Sequence, residues 1–190
     1  MIWIKNATCG LGPQRADQVE DIWRWEQDPR VMLGMGRQNP ESLEGRTEGF
    51  NIQMRGTGHS TRFMIYDVTG DKPVPVGTSV LLVDHAVRTA EFFILIGDSA
   101  NRGRGIGAEA TRLTLDWAFH VTALRCVHLM VLEPNTSAIK AYEKAGFRRI
   151  GTRRHSGHWL GQVCNEVLMD AVPEDFSGPS AITPLAERSG

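Results

Sequence analysis

The sequence has only three cysteines in 190 residues, Cys9, Cys126 and Cys164. They are odd in number, far apart and without a C-x-x-C pair, which excludes a disulfide framework and a structural zinc site and makes a reducing cytoplasm the expected home. No apolar run approaches the roughly 20 residues that span a bilayer. The opening "MIWIKNATCG" has no signal-peptide apolar region. Charge of one sign is also missing. A net charge of -1 gives no global field to draw the chain onto nucleic acid or an anionic membrane, so neither is expected as a partner. Any anion must be held by a local device.

What is present is the composition of a soluble globular domain, 41% hydrophobic and 23% charged. The chain is long enough to bury one core. Residues 11 to 61 read as helical and polar. In "PQRADQVEDIWRWEQD", Val19, Ile22, Trp23 and Glu26 recur at helical spacing, and Asp28-Pro29 stops the helix. A second helix is expected over about Ser42 to Met54, with "VMLGMGRQNP" as the loop between. From Thr61 the pattern changes to strands. "TRFMIYDV", "VPVGTSVLLVDH" and "RTAEFFILIGD", separated by short turn signals, predict an antiparallel meander. An amphipathic helix follows, with Ala110, Leu113, Trp117 and Val121 on one stripe, then a buried strand "RCVHLMVLE". Next come a short helix closed by Gly146 and a hairpin of "FRRIGTRRH" with "QVCNEVLMDAV". The domain is expected to end near residue 176, with 177–190 as a flexible tail lacking periodicity.

Between the third strand and the amphipathic helix stands "SANRGRGIGAEATRLTLDWAF", with Gly103, Gly105 and Gly107 interleaved with Arg102 and Arg104. Glycines accept φ > 0, so backbone N–H groups can converge on one point. At a helix N-terminus those donors bind phosphate, and the arginines can supplement them. No Lys-Ser/Thr pair follows the last glycine, which excludes a Walker loop. Gly103, Gly105 and Ala108 satisfy a dinucleotide fingerprint, with Glu133 as its acid. Glu133 lies too far along, however, too little chain remains after it, and the antiparallel meander conflicts with a doubly wound sheet.

The loop Arg102-Gly103-Arg104-Gly105-Ile106-Gly107 and the later Asn135, Ala138, Tyr142 and "AGF" resemble the GNAT superfamily of acyl-CoA-dependent N-acyltransferases. The resemblance covers roughly residues 60 to 172. It looks most like the ribosomal-protein N-acetyltransferase branch, with "NRGRGIGAEATRL" followed by "AIKAYEKAGF". It implies a mixed α+β fold: a central, mostly antiparallel twisted sheet flanked by helices, with a V-shaped splay between two parallel strands at about 91–97 and 125–131. It implies acetyl-CoA as acyl donor, held by Phe93, Ile94, Leu95, Ile96, Arg102, Gly103, Arg104, Gly105, Ile106, Gly107, Ala108, Asn135, Ala138 and Tyr142. The acceptor it implies is an amine of a small molecule, a peptide N-terminus or a lysine; a homodimer is compatible with it. The rival reading from another class is a catalytically silent acyl-CoA-binding or sensing module.

Acetyl transfer from a thioester to an amine asks for a base near the amine and an acid near the sulfur. A lysine-like amine, pKa about 10.4, is mostly protonated at pH 7, which withholds the nucleophile by roughly 4 to 5 kcal/mol. The resemblance puts the base at Glu91, with Phe93 and Leu95 on its strand face, and the acid at Tyr142; Asp98 and His120 are alternative bases. The strand Phe92–Ile96 would supply a backbone donor to the carbonyl oxygen. His155 and His158 lack an acidic or thiolate neighbour and do not suggest a metal. Arg148, Arg149, Arg153 and Arg154 read as a solvated strand face. Trp23 and Trp25 could wall an amine, one of them being core.

Overall fold

The structure, a computed structural model, describes residues 1–36, 39–56, 58–97 and 99–187. Eight strands form one sheet in the order β1-β2-β3-β4-β5-β6-β8-β7. They are β1 (Ile4–Lys5), β2 (Cys9–Pro13), β3 (Ser60–Asp67), β4 (Val74–Asp84), β5 (Thr89–Ile96), β6 (Cys126–Leu132), β7 (Arg148–Trp159) and β8 (Gln162–Ala171). Every neighbouring pair is antiparallel except β5–β6. The helices are α1 (Val19–Glu26), α2 (Pro29–Gly34), α3 (Leu43–Met54), α4 (Ile106–His120), α5 (Thr136–Ala145) and α6 (Thr183–Glu187). None of the described helices is long and apolar enough to cross a membrane.

The strand pattern explains why helices cover both faces. In β3 four consecutive residues are buried, and alternation sends them to two different layers. Phe63 and Ile65 join Leu11, Ala110 and Leu113 beneath α4, whereas Met64 and Tyr66 join Val19, Ile22 and Phe50 beneath α1 and α3. A third cluster, with Phe92, Leu115, Val127, Ile139 and Met169, fills the space between α4, α5 and the far strands. α3 and α5 start at side-chain caps. The Ser42 hydroxyl accepts from the Gly45 amide at 3.1 Å, and Asn135 Oδ1 accepts from the Ala138 amide at 3.3 Å. Gly146 ends α5 at φ 114.

The N-terminal region differs from the sequence reading in two places. β1 and β2 form where the sequence reading placed no strand, since Gly10, Gly12 and Pro13 carry little strand propensity of their own. Part of the expected loop is α2. Asp28-Pro29 not only stops α1 but starts the next helix, with Asp28 Oδ1 accepting from the Arg30 amide at 2.9 Å and Pro29 in the first turn.

Two features of the sheet position the site. The parallel β5–β6 ladder pairs only Thr89 with Cys126, Ala90 with Val127 and Glu91 with His128. Both strands continue, β5 to Ile96 and β6 to Leu132, so they separate beyond Glu91 and open a V in the middle of the sheet. Just past β5, Gly97 lies directly against the Trp25 indole of α1, where an added Cβ would collide with the ring. Gly97→Ala is therefore expected to push α1 off the sheet and cost roughly 1 to 3 kcal/mol, read as a lower Tm.

Beyond residue 176 the chain runs back along α4. Asp116, fully buried on that helix, accepts from Ser180 Oγ at 2.7 Å and the Ala181 amide at 2.6 Å, and also contacts His120 Nδ1 at 2.7 Å. Arg112 donates to the Pro179 carbonyl at 3.0 Å.

Candidate functional site

The V opens onto a cleft of about 720 Å³. Its walls are Ile94, Leu95 and Ile96 of β5, Gly107 and Ala108 of α4, and Asn135, Ala138 and Tyr142 of α5. Its mouth carries Gly103 and Gly105, which sit at φ 76 and φ 82 and have open space where a Cβ would project. Gly105 is the N-cap of α4 and no side chain caps that end. The amides of Ile106, Gly107 and Ala108 are the ones an α-helix leaves without internal partners, at the positive end of its dipole. Lys140 and Lys144 border the same cleft. An anion-receptive end joined to an apolar groove fits a molecule with phosphates at one end and a long thin arm. This is the shape and chemistry of coenzyme A.

The structure sorts the sequence-predicted binding residues. Ile94, Leu95, Ile96, Gly103, Gly105, Gly107, Ala108, Asn135, Ala138 and Tyr142 come together around the cleft. Ile106 offers only its backbone, since its side chain is in the core. Gly107 lies within α4, so the left-handed positions of the loop are Gly103 and Gly105. Arg102 borders the cleft, but its guanidinium clamps the end of β5, donating to the Gly97 carbonyl at 2.9 Å and meeting Asp28 at 3.4 Å. Arg104 turns outward to Asp67 at 2.7 Å and Asn101 at 2.9 Å. The Asp67 carboxyl is held below its ordinary range chiefly by the Thr69 hydroxyl and amide, with Arg104 adding to them.

Tyr142 is half-buried, its ring edge-on to Phe92 with centroids 6.2 Å apart and packed against Phe147 at 5.9 Å. Burial disfavours the phenolate and pushes its pKa up to about 12, so the hydroxyl keeps its proton.

Phe93 faces the other side of the sheet. There a second cleft, about 270 Å³, lies beneath α3 and α1 and is bordered by Gln14, Glu26, Arg46, Arg62, Thr78, Val80 and Phe93. The sequence reading missed most of this set, because its members come from five elements and a connecting loop, far apart in the chain. Ile94, Leu95 and Met35 border both clefts, which therefore meet at β5 beside the V.

Glu91 stands at the closed end of the V, registered with Leu82 on β4 and His128 on β6 and outside the lining of either cleft. His120 is at the far end of α4, about 20 Å of helix from the glycine loop, held by Asp116. Asp98 lies outside the described residues. Trp25 packs into the α1–α3 layer, and Trp23 donates its indole N–H to the Glu41 carbonyl at 2.7 Å. On β7, Arg148, Arg149 and Arg153 pair with Asp175, Glu143 and Glu166.

Comparison with known proteins agrees with this architecture. The crystal structure of spermidine N-acetyltransferase from Vibrio cholerae in complex with CoA and spermine superposes with a TM-score of 0.81 at 21% identity, covering 90% of this chain and 99% of that one. By sequence, the "Probable N-acetyltransferase YjcK" of Bacillus subtilis (strain 168) is 33% identical over 117 residues, 60% of this chain and 62% of that protein. Spermidine N(1)-acetyltransferase of Escherichia coli (strain K12) is 32% identical over 110 residues, 58% of each. The chain thus spans about three fifths of the length of these curated relatives. The matches bear on the superfamily and not on a branch within it. The acetyltransferase (GNAT) domain matches residues 10–148, and the chain belongs to that family.

Proposed function

We propose that the protein is an acetyl-CoA-dependent N-acetyltransferase that acylates the primary amine of a small molecule. The observation that carries this reading is the meeting of two clefts at Ile94, Leu95 and Met35, beside strands that have stopped pairing. The larger cleft suits the acyl donor and the smaller one an acceptor, and the opening between them lets a nucleophile reach a thioester. When bound, acetyl-CoA supplies the activated acyl group. The residues of this chain align it, remove a proton from the amine and return one to sulfur.

In this reading the amides at the start of α4 hold the pyrophosphate, and Asn135 and Ala138 flank the pantetheine arm. Once separated from β6, the backbone of β5 supplies an N–H to the thioester carbonyl oxygen. The amine nitrogen bonds to the carbonyl carbon, the C–S bond breaks, and the amine loses one proton. Tyr142 gives its phenolic proton to the departing sulfur. Glu91, at the apex of the V and on the acceptor face with Phe93 and Leu95, takes the amine proton through intervening water.

Incubation with acetyl-CoA and a panel of small amines and peptides, followed by thiol detection and mass spectrometry, is expected to give free CoA and N-acetylated product. Tight CoA binding with no thiol release from any amine would establish the sensing alternative. The base assignment has its own signature. Glu91→Gln is expected to depress kcat/KM most at low pH, where the amine is charged, and to recover as pH rises toward the amine's own pKa. A loss that stays constant from about pH 6 to 10 would make Glu91 a positioning residue.

A further inference from the structure

The polar side chains of the acceptor cleft are not balanced. Glu26 and Arg46 are both buried there, at 6% and 9% exposure, and face each other through two contacts, Arg46 Nε to Glu26 Oε2 at 2.7 Å and Nη2 to Oε1 at 3.4 Å. Their charges offset one another. Arg62, half-buried on β3 and bordering the same cleft, is different. Its Nε reaches the Ser60 hydroxyl at 3.3 Å, and no carboxylate pairs with it among the described residues. Burial first, and the neighbouring charge of Arg46 second, work against its protonated form. A partly desolvated guanidinium is a strong, directional receptor for a carboxylate.

Register gives its position relative to the reacting centre. Arg62 pairs with Val80, and Val80 with Phe93, so the three stand in one row on the acceptor face of β3, β4 and β5. Two strand spacings place the Arg62 and Phe93 Cα atoms about 10 Å apart. Beneath that row Gln14 is buried at 6% exposure. Its Nε2 is oriented by the Phe63 carbonyl at 3.4 Å, and its Oε1 has no partner among the described residues. The remaining carboxylate at this cleft, Glu41, is exposed at the rim.

We infer that the acceptor is a small amine that also carries a carboxylate, its amine presented at Leu95 and its carboxylate bound by Arg62. The cleft then disfavours polyamines, which would bring a second cation toward Arg62 where Glu26 is already held by Arg46 and Glu41 stands at the rim. This inference rests on the acetyltransferase reading and names its substrate class.

The test uses matched pairs: L-lysine against 1,5-diaminopentane, which is lysine without its carboxylate, and a set of α- and ω-amino acids against their carboxamides. Wild type is expected to show kcat/KM about 10-fold or more higher for each carboxylate than for its partner. Arg62→Ala should lower kcat/KM for the carboxylates by about 10- to 100-fold, mostly through KM, and leave the diamine unchanged or improved. Arg62→Lys should restore part of the loss. Calorimetry with the N-acetylated product reads the same contact without turnover, and CoA affinity checks that each variant is folded. Faster turnover of diamines than of carboxylates by wild type would overturn the inference while leaving the acetyltransferase reading intact. An equal loss on both members of a pair in Arg62→Ala would do the same. No thiol release from any amine would overturn both.

Discussion

Tyr142→Phe is expected to lower kcat by about 100-fold or more while leaving coenzyme A affinity and Tm nearly unchanged. The substitution removes one oxygen and keeps the ring that packs on Phe92 and Phe147, so a purely structural role predicts almost no effect. A catalytic role predicts a large one, because a departing thiolate left without a proton donor must await solvent. The pH dependence sharpens the distinction. With its pKa pushed up to about 12, the phenol keeps its proton throughout the range in which an amine of pKa about 10.4 becomes free. Wild-type kcat should therefore show no alkaline decline from loss of this proton below about pH 11, whereas an unshifted tyrosine would lose half its acid form near pH 10. The deficit of the variant should be flat from about pH 6 to 10, the opposite of the slope expected for Glu91→Gln. Retained turnover in Tyr142→Phe would return the residue to the core.

The second large effect concerns the loop. Gly103→Val combined with Gly105→Val is expected to weaken coenzyme A binding by at least about 100-fold. Each left-handed non-glycine residue costs roughly 1 to 2 kcal/mol, and a β-branched side chain at positive φ is a worse case still. The chain would relieve that cost by re-routing the loop and moving the amides at the head of α4. An added Cβ at either position meets no atom within 4 Å, so the rest of the fold should survive and the loss should fall on the ligand. Gly107→Ala is the control. That residue is helical, and a Cβ there meets Ile96 at an ordinary 3.7 Å, so the loop should keep its shape. Isothermal calorimetry on the folded variants decides it. Unchanged affinity in the double variant would remove the loop from the binding site.

The contrast between Gly105 and Gly107 shows what a sequence can say. Glycines spaced by two after a strand and before an apolar helix announce a loop-to-helix junction, and the helix period of 106–120 and the cap at Gly146 place α4 and α5. Those signals are local, and the cleft they build was legible from them. Arg102 and Arg104 look equivalent in sequence, yet one clamps the end of β5 and the other turns to Asp67. Which way each points depends on carbonyls and a carboxylate brought in by folding. The smaller cleft was hidden for the same reason. In the sequence Gln14 and Arg46 fall in a stretch that reads as helical and polar, Glu26 on a helical stripe and Arg62 in a strand, and only the crossing of α1 and α3 over β3–β5 makes them neighbours. β1 and β2 were missed because β1 is only two residues long and β2, one strand in from the sheet edge, carries Gly10, Gly12 and Pro13, whose extended form is imposed by pairing with β1 and β3.

Asp116 gives the end of the chain a part in the geometry of the beginning of α4. A fully buried carboxylate that answers to Ser180 and Ala181 works as a keel bolt, fastening the last stretch of polypeptide to the helix whose opposite end presents the amides of the cradle. Trimming the chain at residue 176 would strip that carboxylate of the Ser180 and Ala181 donors and leave His120 as the side chain facing it, in a core with no other use for a negative charge. Cutting the chain ahead of Ser180 is expected to disturb α4 and, through it, the larger cleft without crossing the sheet.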